Sequence, residues 1–321
     1  AFIAPHFPLH APETDIARYR ERYLAGWDVL RRQRWKRVRE LGIVSCGLAE
    51  REPDFESRYF KPRYLDQWGP GESRLPVAWE DLTSAQQEFQ STKMAIHAAM
   101  VDRMDQEIGR VLDQLRAMEI FDDTVIFFLS DNGADATLLI RGDGHDPSAP
   151  PGSAGSYLCL GPGFACASNS PFRKYKVWTH EAGISTPLIV HWPKGISAKG
   201  ELRQDVGHVI DLAPTLLELA GLEAGLPPGA PPLPGRSLVP AFAGDGVIER
   251  DYLFFHHEGN RAIRVGDRKL VSAREDGAEW ELYDLSTDRS EARNLAPERP
   301  EEVQRLSKLW EECERRFRAQ A

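Results

Sequence analysis

A short apolar run near the middle of the chain predicts a buried strand. Residues 124–129 read Thr-Val-Ile-Phe-Phe-Leu, and a β-branched and aromatic run of this length is typical of a strand covered on both faces in a parallel sheet. Asp131, Asn132 and Gly133 follow almost at once. Because open α/β sheets bind ligands at the carboxyl ends of their strands, Asp131 and Asn132 are candidate oxygen ligands. The pair also fits an ordinary turn, a conformation that Asp and Asn favour.

The segment before this strand has a helical pattern. Apolar residues recur at intervals of three, four or seven between about Ser91 and Met118, which predicts a long helix with one apolar face. A helix that leads into a buried strand forms an αβ unit, so the pattern favours the α/β class. A second apolar run, residues 187–192, predicts another buried strand, which Pro193 ends.

Other segments have weaker patterns. Residues 14–41 predict a helix pair, residues 46–80 an irregular insertion, and residues 141–170 a long loop rich in Gly, Pro, Ser and Ala. Loops of that length are usually functional or disordered. Asp211 begins a leucine-rich helix that ends at Gly221, and N-capping explains an acid at that position.

The C-terminal part predicts a second, smaller α+β unit. A proline-rich spacer over 226–234 and the Gly-Asp-Gly turn at 244–246 mark the expected boundary, which divides the chain into domains 1–245 and 246–321. Beyond it, hairpin signals at 266–267 and 276–277 separate three or four strands. A final amphipathic helix over about 300–318 would pack on this antiparallel sheet.

Composition excludes some function classes. The chain has 321 residues, a formal net charge of -9 and a pI near 5.6, which gives no support for a nucleic-acid partner. The arginine-rich stretch at 31–39 is therefore interpreted as a solvated helix face. No apolar run approaches the roughly 18 residues of a transmembrane helix, and no signal peptide opens the chain. Oligomeric state and compartment remain open.

The first residues and the cysteines lead to two further expectations. Residues 1–4 read like the end of a strand already under way and lack an initiator Met, so we expect a piece of a longer protein. The cysteines, at 46, 159, 166 and 313, have no zinc-site spacing. Free thiols are the expectation, with a disulfide between Cys159 and Cys166 left open.

A proline-rich segment carries a candidate catalytic imidazole. Residues 5–12 read PHFPLHAP, with His6 and His10 among three prolines. Prolines restrict their own φ and the conformation of the preceding residue, which predicts a stiff loop. Such a loop could hold His6 in position for catalysis. The alternative is that each histidine has only a structural role in a turn.

Five motifs in order give the chain a resemblance to the sulfatases of the alkaline phosphatase superfamily, most closely the bacterial arylsulfatase type. They are PHFPLHAP, FFLSDNG, FRKYKVWTHEAG with STPLIVHWP, VIDLAPTLLELAG and WELYDLSTDRSEARNLA. The resemblance implies an alkaline phosphatase-like fold with a mixed, mostly parallel sheet between helices. It also implies hydrolysis of a small-molecule sulfate monoester by a hydrated formylglycine, which is made from Cys or Ser.

The resemblance also assigns roles to residues of this chain. Asp131 and Asn132 match two ligands of the family's divalent cation, usually calcium, for which hard oxygen donors are suited. Lys176 matches the lysine that holds the sulfate oxygens near the leaving group. His6 matches the histidine that donates a proton or hydrogen bond to the departing alcohol or phenol.

Parts of the family pattern are absent. The formylglycine motif, Cys or Ser followed by Pro at +2 and Arg at +4, does not occur; its nearest match is Asn169 in NSPFR, which we interpret as a chance match. A pair of metal-binding aspartates and a Lys-His pair are also missing. We expect these features upstream in a complete sulfatase, and we expect the present chain to be inactive alone.

The sequence is also compatible with two other functions. One is a phosphatase or phosphodiesterase of the same superfamily, in which Asp143-Gly144-His145 could contribute to a second metal site. The other is a noncatalytic relative that keeps the fold as a binding module.

Overall fold

The computed structural model describes residues 1–57, 59–142, 144–222 and 233–319. The α-helices in these ranges are α1 (Glu13–Ile16), α2 (Gly26–Glu40), α3 (Arg63–Trp68), α4 (Ser84–Ala117), α5 (Pro162–Asn169), α6 (Glu181–Ile184), α7 (Leu212–Leu219) and α8 (Pro300–Arg318). The strands are β1 (Ile126–Leu129), β2 (Leu188–His191), β3 (Leu253–His257), β4 (Asn260–Val265), β5 (Arg268–Ser272) and β6 (Glu281–Asp284). None of the helices in these ranges has the length and apolar composition needed to cross a membrane.

The two strands predicted from apolar runs are present and pair with each other. β1 and β2 are antiparallel, with Ile126 opposite His191 and Leu129 opposite Leu188. The predicted burial on both faces is wrong, since Phe128 is 42% and Ile189 58% exposed. Parallel pairing is not seen among the described strands. An apolar run shows that a strand can be buried, but it specifies neither its direction nor what covers it.

The long helix α4 begins seven residues before the predicted start. Gln86 N donates to Thr83 Oγ1 (3.3 Å) and Thr83 N donates to Gln86 Oε1 (3.0 Å), which together form a capping box. The buried residues Ile96 and Ala99 of this helix belong to a core cluster that includes Leu9. The helix therefore supports the loop that carries His6.

A second core cluster is built from aromatic rings. Trp27 of α2 packs edge-on against Trp79 and against Phe164 of α5. Helix α5 lies inside the stretch predicted to be a loop, so that prediction is wrong for residues 162–169. Gly163 of this helix reflects close packing, because a Cβ at this position would come within 2.5 Å of the Trp27 ring.

The C-terminal strands form the predicted antiparallel sheet, in the order β3-β4-β5-β6. Leu306 and Trp310 of α8 pack with Ile263 and Leu282 of the sheet in one buried cluster. The turns at 266–267 and 276–277 separate strands as predicted. The spacer over 226–234 lies outside the described residues except for its last two positions, and the boundary at residue 245 stays a prediction.

Asp211 does not cap α7 as predicted, but its side chain completes a capping box at the turn over Val209–Asp211 that leads into this helix. Its side chain makes no capping bond to that helix. The buried carboxylate instead accepts from His208 N (2.7 Å) and Arg236 N (2.8 Å) and pairs with Arg250. The sequence pattern could not show these partners, since two of them lie 25 and 39 residues away.

Candidate functional site

The turn after β1 can form only with glycine at its bend. Gly133 N donates to Gly183 O at 3.1 Å. A Cβ built on Gly133 would lie 1.6 Å from Ala182 O, a distance that no side chain permits. The close approach places the turn over residues 130–135 directly against α6.

Asn169 joins this turn to the segment that carries Lys176. Its Oδ1 accepts from Ala134 N (2.7 Å), and its Nδ2 donates to Ala134 O (3.3 Å) and Lys174 O (3.2 Å). Lys176 N also donates to Ala134 O at 3.1 Å. The asparagine in the NSPFR segment thus has a structural role here, which agrees with treating its nucleophile-like spacing as chance.

The structure brings His6 and Lys176 together across 170 residues of sequence. His6 Nε2 lies 3.1 Å from Lys176 Nζ. His6 Nδ1 lies 2.7 Å from Phe7 O, and because a carbonyl oxygen only accepts, Nδ1 carries a proton in this contact. An ammonium group only donates, so His6 Nε2 is the acceptor toward Lys176. These two contacts select the neutral tautomer with its hydrogen on Nδ1.

Asp135 completes this group, although the sequence reasoning missed it. Its Oδ2 lies 3.4 Å from Lys176 Nζ and 3.9 Å from His6 Nε2. The side chains of Asp135, Lys176 and His6 are 18%, 28% and 36% exposed, so all three can be reached from solvent. The available signal was an acid three positions after Asn132 in the same turn.

Asp131 and Asn132 lie in this turn with their side chains unengaged. Asp131 is exposed and Asn132 half-buried, and neither side chain forms a hydrogen bond or ion pair within the described part of the chain. A free carboxylate beside a free amide suits a hard cation such as calcium. Among the described residues, however, there is no group of three or more His, Cys, Asp or Glu side chains that could hold a metal ion. The assignment of Asp131 and Asn132 as metal ligands therefore stays a prediction.

The cysteines are all free and buried, so the disulfide left open between Cys159 and Cys166 does not form. Burial raises the pKa of the Cys159 thiol to about 12 and also raises the pKa values of Cys46 and Cys166. Those three thiols are consequently poor nucleophiles at neutral pH.

The other candidate histidines are bonded to backbone atoms of other segments. His10 Nε2 donates to Ser156 O (2.7 Å), and His145 Nδ1 accepts from Tyr157 N (2.9 Å). Asp143 of the possible second metal site lies outside the described residues.

Comparisons with known proteins show which family the chain resembles. The sulfatase family model matches residues 1–222, and a model described as N-sulphoglucosamine sulphohydrolase, C-terminal, matches residues 172–318. An uncharacterized sulfatase of Schizosaccharomyces pombe is 32% identical over 96% of this chain and 56% of its own length. An arylsulfatase of Klebsiella aerogenes is 31% identical over 70% of this chain and 46% of its own length. The chain thus spans about half the length of these relatives.

Solved structures support the fold. A protein in complex with its substrate D-glucosamine-2-N,6-O-disulfate is 25% identical over 74% of this chain and 44% of its own, with a TM-score of 0.51. The protein Ps i-CgsB, in a complex with k-i-k-neocarrahexaose, aligns over 96% of this chain and 48% of its own with a TM-score of 0.56. At 20% identity the second match concerns the fold alone. The α/β, alkaline phosphatase-like class predicted from the sequence is confirmed, and this chain belongs to the sulfatase family of the alkaline phosphatase superfamily.

Proposed function

We propose that this chain forms about half of a sulfatase catalytic domain and supplies the residues on the leaving-group side of a sulfate monoester. The observation that carries the proposal is the contact of His6 Nε2 with Lys176 Nζ at 3.1 Å. Two segments 170 residues apart deliver a cation and an imidazole to one partly exposed place. The same residues match the family's sulfate-binding lysine and its proton-donating histidine.

Lys176 would bind the sulfate oxygens. Its ammonium group is a compact charge with three donors, of which the contact with His6 uses one. Negative charge builds up on the bridging oxygen as the ester bond breaks, so a fixed cation stabilises the transition state more than the bound ester. The backbone bond from Lys176 N to Ala134 O keeps the base of this side chain in place.

His6 would protonate the departing oxygen. Its Nδ1–H is engaged with Phe7 O, which leaves Nε2 as the atom that faces Lys176. In the resting contact Nε2 accepts from Lys176 Nζ. Once Nε2 has taken up a proton from solvent, it can pass that proton to the alcohol or phenol that leaves, while Lys176 keeps its charge. The gain should be largest for a poorly stabilised leaving group, which needs a proton most.

The remaining groups of the reaction would act together with these two. Asp131 and Asn132 would hold part of a calcium ion's coordination shell. When bound, the ion would neutralise charge on the sulfate. The nucleophile implied by the family resemblance is a formylglycine, and none of the four buried cysteines has the motif for its formation. It would therefore come from sequence beyond this chain.

Relatives suggest the class of substrate. N-acetylgalactosamine-6-sulfatases of several mammals are 28–34% identical to this chain over 53–61% of its length. The structure with D-glucosamine-2-N,6-O-disulfate adds a second sulfated sugar. Either a sulfated sugar or an aryl sulfate would present the same sulfate ester to His6 and Lys176, so both classes belong in the test.

The experiment uses the complete sulfatase domain that contains this chain, with aryl sulfates of graded leaving-group pKa and a glucosamine 6-sulfate. We expect Lys176→Ala to lower kcat/KM about 10³-fold on every substrate. We expect His6→Ala to lower it about 10²-fold or more on poor leaving groups and much less on activated phenols.

Matched controls are available for both variants. Lys194→Ala removes an exposed lysine that pairs with Asp123 at 3.1 Å, and His10→Ala removes the other histidine of the same loop. Both should leave kcat/KM within about twofold of the parent, because both side chains are exposed and neither contacts His6 or Lys176. Equal losses across all leaving groups would remove His6 as the proton donor, and faster cleavage of aryl phosphate than of aryl sulfate would contradict the assignment as a sulfatase.

A further inference from the structure

We propose that Asp135 is a positioning residue of this site, which holds Lys176 Nζ against His6 Nε2. The inference rests on the proposed function and adds a residue to it. Asp135 Oδ2 lies 3.4 Å from Lys176 Nζ and 3.9 Å from His6 Nε2, while the two nitrogens are 3.1 Å apart. The carboxylate thus faces both members of the pair at once.

Local bonds keep the Asp135 carboxylate in this orientation. Its Oδ1 accepts from Thr137 N at 2.8 Å, so the other oxygen is directed toward the cation. The residue before it, Ala134, accepts from Lys176 N and is bonded to Asn169 through both its N and O. The anion and the backbone of the lysine therefore belong to one cross-linked unit.

The negative charge of Asp135 would fix the position of the Lys176 ammonium group. A lysine side chain has four rotatable carbons, so backbone anchoring alone leaves its Nζ free to sample several positions. A fixed carboxylate at 3.4 Å favours the position in which Nζ also reaches the imidazole. It also offsets the positive charge of the Lys176 ammonium group. Asp135 would thereby increase the fraction of molecules that are ready to react.

The alternative is that Asp135 merely closes its turn by accepting from Thr137 N. Asp146 shows what such a role looks like, since its Oδ1 accepts from Ser148 N at the same 2.8 Å while its side chain contacts neither His6 nor Lys176. Asparagine would preserve this type of turn, because its amide oxygen accepts the same bond. Asp135→Asn therefore separates the two explanations.

The test measures kcat and KM of the complete domain with Asp135→Asn, Asp135→Ala and the control Asp146→Asn. We expect Asp135→Asn and Asp135→Ala to lower kcat by similar factors of about 10- to 100-fold, and Asp146→Asn to stay within twofold. In a Lys176→Ala background, Asp135→Asn should cost less than about threefold more, because the group it positions is already gone. Normal turnover by Asp135→Asn, or full additivity with Lys176→Ala, would overturn the inference.

This outcome can be separated from failure of the proposed function. A large loss with Lys176→Ala together with a normal Asp135→Asn would leave the sulfatase proposal intact and refute only the role of Asp135. No effect of Lys176→Ala would refute both. Loss by unfolding is recognised from the far-UV circular dichroism and thermal transition of each variant, and Asp135→Asn is chosen because it retains the turn.

Discussion

Two clusters of lysine and carboxylate in this protein differ in burial and in how fully they are paired. At the candidate site, Lys176 is 28% exposed and its contact with Asp135 is 3.4 Å. At the junction with the C-terminal sheet, Lys269 is fully buried and contacts Glu181 at 2.9 Å and Glu291 at 2.8 Å. In the first cluster the Lys176 ammonium is partly exposed and can be reached by a ligand. In the second cluster the lysine and the two carboxylates are buried and contact one another.

The junction cluster is also balanced in charge. Arg289 contacts Glu181 at 3.1 Å, and Glu181 N donates to Glu291 Oε2 at 2.8 Å. Two cations thus face two anions. Buried charges persist in a protein only when they are paired in this way. A charged cluster can bind a ligand only through atoms that are exposed and not already paired, and on this criterion the Lys176 cluster differs from the Lys269 cluster.

The largest difference in stability between the two clusters is expected on substitution of the buried lysine. Lys269→Met keeps the aliphatic stem but removes the cation between Glu181 and Glu291. Leaving buried charge unpaired typically costs about 3–5 kcal/mol, and we expect the free energy of unfolding to fall by that amount. Urea denaturation measures it, with the exposed Lys194→Met as the matched control. A loss below about 1 kcal/mol would show that the cluster is not structural.

A smaller loss of stability is expected at acidic pH. Burial by itself would raise the pKa of the Glu181 carboxyl, but Lys269 and Arg289 outweigh burial and lower this pKa from 4.5 to about 2. A carboxyl with a depressed folded-state pKa stabilises the fold above the unfolded pKa, and this contribution is lost as pH falls from about 4.5 toward 2. We expect a loss of roughly 2 kcal/mol between pH 7 and pH 3.

Glu181→Gln provides the control for this pH dependence. The glutamine cannot titrate, and Lys269 retains Glu291 as its partner. The variant should be less stable than the parent at pH 7 and should lose less stability on acidification. Parallel stability curves for parent and variant between pH 7 and pH 3 would show that Glu181 does not contribute.

Lys176→Ala, which is expected to have the largest effect on activity, should have the smallest effect on stability. Lys176→Ala removes a partly exposed ion pair, and such pairs contribute about 0–1 kcal/mol. The free energy of unfolding, measured by urea denaturation, should therefore change by less than about 1 kcal/mol. A loss comparable to that of Lys269→Met would mean that the two clusters share a structural role and would break the comparison.

Local patterns predicted much of the fold. The apolar periodicity located α4 and α8, the apolar runs located β1 and β2, and the turn signals separated the C-terminal strands. Predictions failed where packing overrides composition. Helix α5 was hidden by its small residues, one of which, Gly163, is approached closely by the Trp27 ring. The burial of β1 was overestimated because apolar character does not reveal which segments cover a strand.

For the site, the sequence predicted candidate residues, and the structure showed which of them are in contact. His6 and Lys176 were predicted as catalytic residues, and they lie in contact. Asp131 and Asn132 as metal ligands remain a prediction. Asp135 could not be distinguished from an ordinary turn residue, since its partners are 41 and 129 positions away and only folding places them beside it.

The sequence by itself determined the elements whose cause is local, namely the periodicity of α4, the glycine bend after β1 and the order of motifs that identifies the family. Tertiary structure alone decided the tautomer of His6, the partners of Asp211 and the separation of the two lysine clusters. The reason is that hydrogen-bond direction, desolvation and charge pairing depend on distances in space. Residues far apart in the chain set those distances, so no local pattern records them.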